Sequence, residues 1–391
     1  MHTNLAIGCQ ALPPRDTLKA LWADLEARAD APFFLSWTWI STWLDHLPAE
    51  HHAELVVARQ AGRVIGLGLI VRGWTRRFRY LPVRCWRLHE CGVEALDEIT
   101  IEYNGFLVER AHAADTRRAM VVAVQAQKGH ILQISGASPD HDQLDTSLPQ
   151  HLYGDGHDSP THWVSLDDVR QHAAGFEGLL SASRRSRLRK SLSAYEALGP
   201  VRLEQANDLA TARAWLDRLF TLNAQSWDAR GGSRFATEPL MRRFHARLVD
   251  TGLPLGQIQL LRLCAGDQEI AYIYNFVHRG HVYFYQAGLR YGLLDKHDAP
   301  GYVAHLLAIQ ANAEAGHRCY DFMAGDADYK RSLSTHGGLM LWRQFGRRTW
   351  LSATERAVRA GVRGWRQRRQ ATADGDGERL AVHRTTPSSA G

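Results

Sequence analysis

The sequence predicts an α/β protein: a mixed sheet flanked by helices, made of two tandem copies of one fold and followed by a basic helix. Three observations carry this. Across residues 1–136 the apolar positions recur at helical and then alternating spacing, in the order α, α, β, β, β, β, α, β. A hairpin pattern then repeats: Leu55-Val56-Val57, turn, Val64-Ile65-Gly66 is echoed 205 residues later by Leu260-Leu261-Arg262, turn, Glu269-Ile270-Ala271. In both copies a small residue follows an isoleucine, where a neighbour can approach closely. Finally, nine arginines lie between Arg343 and Gln370 against a single acid, Glu355.

Residues 17–29 put Leu18, Leu21, Trp22 and Leu25 on one helical face, and Pro32 ends the segment. A second helix carries Trp37, Ile40, Trp43, Leu44 and Leu47 up to Pro48; this aromatic stripe reads as core. Residues 54–59 and 63–72 form a hairpin around Ala61-Gly62. Strands are expected at 84–90, 99–108 and 130–134, with a helix at 112–128. Residues 137–160, rich in Ser, Pro, Asp, His and Gly, read as a linker. The second copy, 161–348, begins with a strand near 162–166 and a basic helix at 177–197. A strand at 200–205 and helices around Trp215 and Phe244 come next. Strands at 257–264, 269–278 and 281–289, a helix at 301–315 and a strand at 319–323 complete it. A basic helix is expected at 349–370, with Val358, Val362 and Trp365 on one side, and a disordered tail at 371–391.

With 391 residues, 45% hydrophobic and 23% charged, the chain has the composition of a globular protein. Its first residues, Met1 to Leu5, have neither the basic start nor the apolar core of a signal peptide, so a cytoplasmic location is expected. The five cysteines include no Cys-x-x-Cys, and no His set has metal-ligand spacing, so no metal is expected. The net charge of +6 is concentrated in the C-terminal arginines and in Arg184-Arg185-Ser186-Arg187-Leu188-Arg189-Lys190, which suits polyanionic partners or surfaces. The phosphate-loop, dinucleotide, zinc-protease and nucleophile-elbow motifs are absent, so kinase, nucleotide hydrolase, zinc protease and lipase readings lose their usual support.

The residues richest in chemistry lie between 269 and 330. The strand at 281–289 leads through a loop to Pro300-Gly301-Tyr302, a helix start whose exposed amides suit an anion; it also reads as an ordinary Pro/Gly start. The next strand, Cys319-Tyr320-Asp321-Phe322-Met323, sets Asp321 and Met323 on the face opposite Tyr320 and Phe322. A carboxylate in an apolar strand needs a partner, and Lys330 is the expected counter-charge.

Four pieces of the second half together resemble the acetyltransferase-like domain of the CelD/BioF2-like family, related to the GNAT superfamily and to the FemAB peptidyltransferases. They are the basic stretch Arg184 to Lys190 leading to Leu198-Gly199-Pro200-Val201, and Gln225-Ser226-Trp227 ahead of a glycine-rich loop and Phe235. The others are Tyr283-Phe284-Tyr285 with Gly288 and then Pro300-Gly301, and Asp321-Phe322 with Gly325 and Tyr329-Lys330. Pro32-Phe33-Phe34-Leu35-Ser36 and Trp39 to Trp43 resemble the start of these proteins, so the likeness spans roughly 16–348. It departs where GNAT enzymes carry a Gln/Arg-x-x-Gly-x-Gly/Ala loop: here Tyr291-Gly292-Leu293-Leu294-Asp295-Lys296 has one glycine.

The resemblance implies two GNAT-like domains, the first non-catalytic, and transfer of an acyl group from acetyl-CoA or another acyl-CoA to an amine or hydroxyl of a small molecule or glycan. Gly288, Pro300, Gly301 and Tyr302 would hold the cofactor, and Trp227, Arg230 and Phe235 the acceptor. Asp321 would act as base or anchor, Tyr285 or Tyr329 as acid, and Lys330 would meet a phosphate or carboxylate of the substrate. The family name points to exopolysaccharide or cellulose biosynthesis. Two alternatives stand beside this reading: FemAB-like transfer from aminoacyl-tRNA to a peptidoglycan precursor, and a non-catalytic scaffold of a polysaccharide-synthesis complex. The helix at 353–369 would give peripheral contact with an anionic inner membrane.

Overall fold

The protein is represented by a computed structural model that describes residues 5–77, 80–99, 101–126, 130–137, 148–227, 234–349 and 352–354. The basic helix and tail expected beyond 349 lie outside the described residues, apart from 352–354.

In the first half, β1 (Leu5–Ala11) precedes helices α1 (Arg15–Arg28) and α2 (Trp37–Asp45). Strands β2 (Ala53–Gln60), β3 (Arg63–Arg77) and β4 (Leu81–Leu88) follow, then α3 (Glu94–Asp97), the short β5 (Leu107–Val108), α4 (Ala113–Ala126) and β6 (His130–Ala137). The second half contains β7 (Leu152–Ser165), α5 (Leu166–Gln171), α6 (Gly175–Leu179), α7 (Ala182–Glu196) and β8 (Val201–Gln205). After these come α8 (Leu209–Trp227), α9 (Arg234–Thr237), α10 (Pro239–Gly252), β9 (Ile258–Ala265), β10 (Gln268–His278) and β11 (His281–Leu289). Last are α11 (Pro300–Glu314), β12 (Cys319–Ala324), α12 (Asp328–Leu333) and β13 (His336–Arg347).

Among the described residues, thirteen strands form one mixed sheet, ordered β1-β2-β3-β4-β6-β13-β7-β12-β11-β10-β9-β8, with β5 attached to β3. The expected duplication is visible in the pairing. β2/β3 and β3/β4 are antiparallel, and β4/β6 is parallel across the α4 crossover. Likewise β9/β10 and β10/β11 are antiparallel, and β11/β12 is parallel across α11. Gly66, the small residue of the first echo, lies under α4: a Cβ there would stand 2.7 Å from Met120 Sδ.

Two features were not legible in the sequence. Residues 152–160 of the expected linker belong to β7, which forms a long antiparallel ribbon with β13 and joins the halves through β6. β7 is polar because much of it is only half-buried, and its main-chain ladder rather than apolar burial holds it. Gly156 allows the close pairing, since a Cβ would fall 1.8 Å from the Trp342 carbonyl oxygen. The strand expected at 99–108 is reduced to β5, and residues 101–106 before it form a loop.

Three cores cover the sheet. Leu18, Trp22 and Leu25 of α1, and Trp39, Ile40 and Trp43 of α2, are buried in the largest core, which confirms the apolar stripes. This core spans both halves. Phe33 stacks on Phe276 at 4.4 Å, and Trp39 packs edge-on against Phe244 at 5.2 Å. Each such buried aromatic contributes roughly 1.5–3 kcal/mol, so the halves are welded rather than tethered. On the other face α11 covers the second-half strands and α4 the first-half strands.

Candidate active site

Strands β11 and β12 stay paired only over His281↔Cys319, Val282↔Tyr320 and Tyr283↔Asp321. Beyond that point both chains turn away from each other. Tyr274 opposes Gln286 and Asn275 opposes Phe284, so Tyr285 is an extra, bulged residue on β11. On β12, Met323 takes a left-handed φ of 59°, and the ladder to β7 slips between Asp321 and Ala324. The strands enclose a cavity of about 420 Å³, lined by Phe284 to Gln286 on one side, Phe322 to Ala324 on the other, Tyr329 and Lys330 at its edge, and Glu102 from the first half.

This brings together only part of the expected set. Lys330 and Tyr329 line the cavity, and so does Phe235. The side chain of Trp227, and Arg230 altogether, lie outside the described residues. Tyr285 lines the cavity too, but its hydroxyl donates to the Ile99 carbonyl at 2.6 Å, so its proton serves the contact between halves rather than a leaving group. Gly288 has a packing role: a Cβ would come within 2.7 Å of the Leu219 carbonyl oxygen of α8.

The expected Asp321–Lys330 pair is not formed. Asp321 is buried and accepts hydrogen bonds from the Tyr103 hydroxyl (2.5 Å), His281 Nε2 (2.9 Å) and the Met323 amide (2.7 Å). Lys330 Nζ instead donates to the Ala324 carbonyl at 2.5 Å. Burial lowers its pKa, opposed by the negative charges of Glu102 and Asp321.

Glu102 is the residue that sequence reasoning missed. Its carboxylate accepts from the Ala324 amide at 2.9 Å, and burial pushes its pKa up to about 7 despite Lys330. The available signal was Ile101-Glu102-Tyr103, an acid within an apolar run, but nothing local says that this loop reaches the other half. Tyr329 stacks on His305 with ring centroids 5.6 Å apart, and burial raises its pKa.

Helix α11 opens with Pro300 and has no side-chain cap at Ala299. Arg184 and Arg187 of α7 share a smaller cavity, about 100 Å³, with Ala299, Tyr302 and Ser332 at this helix start. Tyr302 accepts a hydrogen bond from the Ser332 hydroxyl at 3.2 Å. The neighbouring loop is closed on itself: Asp298 takes the Gly292 amide at 2.6 Å and the Tyr195 hydroxyl at 2.5 Å. One amide that a phosphate-gripping loop would offer is therefore already used. Among the described residues no group of three or more His, Cys, Asp or Glu is placed to hold a metal ion, and no helix is long and apolar enough to cross a membrane.

A mixed sheet whose parallel pair opens into a wedge beside a helix N-terminus is the architecture of the GNAT-like fold. Residues 182–331 match the acetyltransferase (GNAT) domain family. FemX superposes with a TM-score of 0.57 at 10% identity, covering 87% of this chain and 97% of that one. The C-terminal domain of a putative lysylphosphatidylglycerol synthetase from Agrobacterium fabrum superposes with a TM-score of 0.50 at 12% identity, covering 88% and 95%. At these identities the two structures share the fold. No curated protein matches the sequence.

Proposed function

We propose that the protein transfers an acyl group from acyl-CoA to an amine or hydroxyl acceptor in the wedge between β11 and β12. The observation that carries this is the meeting, in one cavity, of two parted main chains with a half-buried lysine, a tyrosine and a carboxyl whose pKa is about 7. The bulged main chain at Tyr285 orients the donor's amide arm. Arg184, Arg187 and the α11 start take its phosphates, because the loop glycine is occupied by Asp298. Glu102 removes the acceptor's proton as the new bond to the acyl carbon forms, and a carboxyl that titrates near neutrality suits that task. Lys330 stabilises the developing oxyanion, and Tyr329 protonates the departing sulfur as the carbon–sulfur bond breaks. Asp321 acts by positioning Tyr103, the neighbour of Glu102. A glycan acceptor of the cell envelope, as in exopolysaccharide or cellulose biosynthesis, is proposed on the resemblance to CelD/BioF2-like proteins.

Aminoacyl-tRNA is the second donor to consider, because Arg184, Arg187 and Lys190 are exposed on α7 and available to phosphates. Calorimetric titration with acetyl-CoA and then a longer acyl-CoA separates the two. Micromolar binding weakened by Gly301→Trp supports acyl-CoA. No heat with any CoA species, with tRNA bound at low salt and released as salt rises, supports aminoacyl-tRNA. Neither ligand binding would leave the scaffold reading standing.

A further inference from the structure

A second cavity of about 400 Å³ lies where the first half meets the start of β11, away from the opening of the wedge. Its lining includes four arginines, Arg110, Arg117, Arg279 and Arg318, with His281 and Tyr103. The carboxylate in that lining is Asp30, which pairs with Arg110 at 2.7 Å. Arg279 gives two of its five N–H donors to the main-chain carbonyls of Glu26 and Ala29 at the end of α1. Arg318 donates to the Arg279 carbonyl at 2.9 Å. Carbonyl partners occupy donors without cancelling charge. The carboxyl of Glu26 draws on Arg279, yet burial pushes it toward its neutral form.

The turn that carries Arg279 is also informative. Arg279 and Gly280 have φ of 51° and 76° in a two-residue hairpin loop, where Asn, Asp or Gly is the usual first residue. A long cation in that position places its guanidinium at the junction of the halves. Opposite it, His281 is held from below: Nε2 meets Asp321 at 2.9 Å, and the ring stacks on Tyr283 at 4.1 Å. With Nε2–H given to Asp321, Nδ1 carries a second N–H in the imidazolium form, which a neighbouring phosphate and carboxylate both favour.

We propose that this cavity is a binding site for a phosphorylated small molecule, a phosphate monoester or diphosphate, separate from the transfer wedge. Arg318 and Arg279 meet the phosphate oxygens, His281 adds a third contact, and the aromatic wall of Tyr103 and Tyr283 seats the organic part. Its volume is in the range of small-molecule pockets, and guanidinium forks match phosphate geometry. The site requires no transfer chemistry, so it stands whether or not the wedge reading holds.

The test is calorimetric titration of the full-length protein with inorganic pyrophosphate at low ionic strength. The wild type binds, Arg318→Ala weakens binding at least tenfold, and His281→Asn weakens it about threefold, each with an unchanged circular dichroism melt. The double variant Arg184→Glu with Arg187→Glu, which alters the α11 site only, leaves this binding in place. No heat from the wild type, or binding that survives Arg318→Ala and is lost in the α7 double variant, overturns the proposal. Should Arg318→Ala fail to fold, His281→Asn together with Arg110→Ala takes its place with the same expected loss.

Discussion

The two halves run the same strand order, yet only one of them keeps its wedge open. In the second half, β11 and β12 part and leave a cavity between them. In the first half, β4 and β6 are paired from Arg84↔His130 to Arg87↔Gln133, and beyond that the loop at 101–106 fills the gap. Asn104 ties both sides: its main-chain amide donates to Gly136 at 2.8 Å, and its side-chain amide donates to Leu88 at 2.9 Å. His89, buried and held neutral with a pKa near 4, bridges Asn104 and the Leu69 amide. Gly136, at φ 62°, admits the loop, since a Cβ would stand 2.5 Å from the Ile101 carbonyl oxygen. The plug does more than close a cleft. Its Glu102 and Tyr103 reach into the second half, where one lines the wedge and the other holds Asp321. The loop that fills the first half's cleft thus also supports the second half's.

The largest effect that would break this comparison is at Glu102. Glu102→Gln keeps the acceptor for the Ala324 amide but cannot take a proton, so turnover should drop about a hundredfold. In the wild type, activity should fall as pH drops through about 7, where Glu102 becomes protonated, and that limb should vanish in the variant. A pH–rate profile of both proteins checks this. Lys330→Ala should lower turnover at least tenfold with folding intact by circular dichroism. Unchanged turnover would remove the lysine from the chemistry.

Asn104→Ala sharpens the comparison from the other side. It strips His89 and the Leu88 carbonyl of buried partners, and should cost about 1–3 kcal/mol of stability by urea titration. Because the plug carries Glu102, turnover should fall with it. If stability drops while activity is unchanged, the two wedges are independent. A comparable effect on stability is expected at Glu102 itself. Its folded pKa is raised above the unfolded value of 4.5, so the folded state holds the proton more tightly. That destabilises the protein as pH rises from about 4.5 to about 7 and stays at full size above 7. Glu102→Gln should therefore be the more stable protein at pH 8, by on the order of 1–3 kcal/mol, with no difference below pH 4.

Much of the fold was legible because its elements are locally consistent. The α1 and α2 stripes, the echoing hairpins and the strand–helix–strand of β11, α11 and β12 each show their burial in their own spacing. The ribbon of β7 and β13 did not, because polar half-buried strands lack an apolar alternation and their pairing joins residues far apart in sequence. The same limit applied to the site. Lys330, Tyr329 and Phe235 line the wedge cavity. Asp321 reads in the sequence as a carboxylate needing a partner, but its partners, Tyr103 and His281, come from distant segments. Glu102 was invisible for the same reason: its role depends on a loop that fills one half and serves the other.

The most direct measurement is a carboxyl-carbon NMR titration of the glutamates, with and without acetyl-CoA. Burial raises two of them to about 7, Glu90 in the first half and Glu102 at the wedge, and Glu102→Gln identifies the second. The account predicts that acetyl-CoA moves the Glu102 resonance and its midpoint while leaving Glu90 where it was. A shift at Glu90 alone, or a Glu102 that titrates near 4.5 and ignores the ligand, would contradict it.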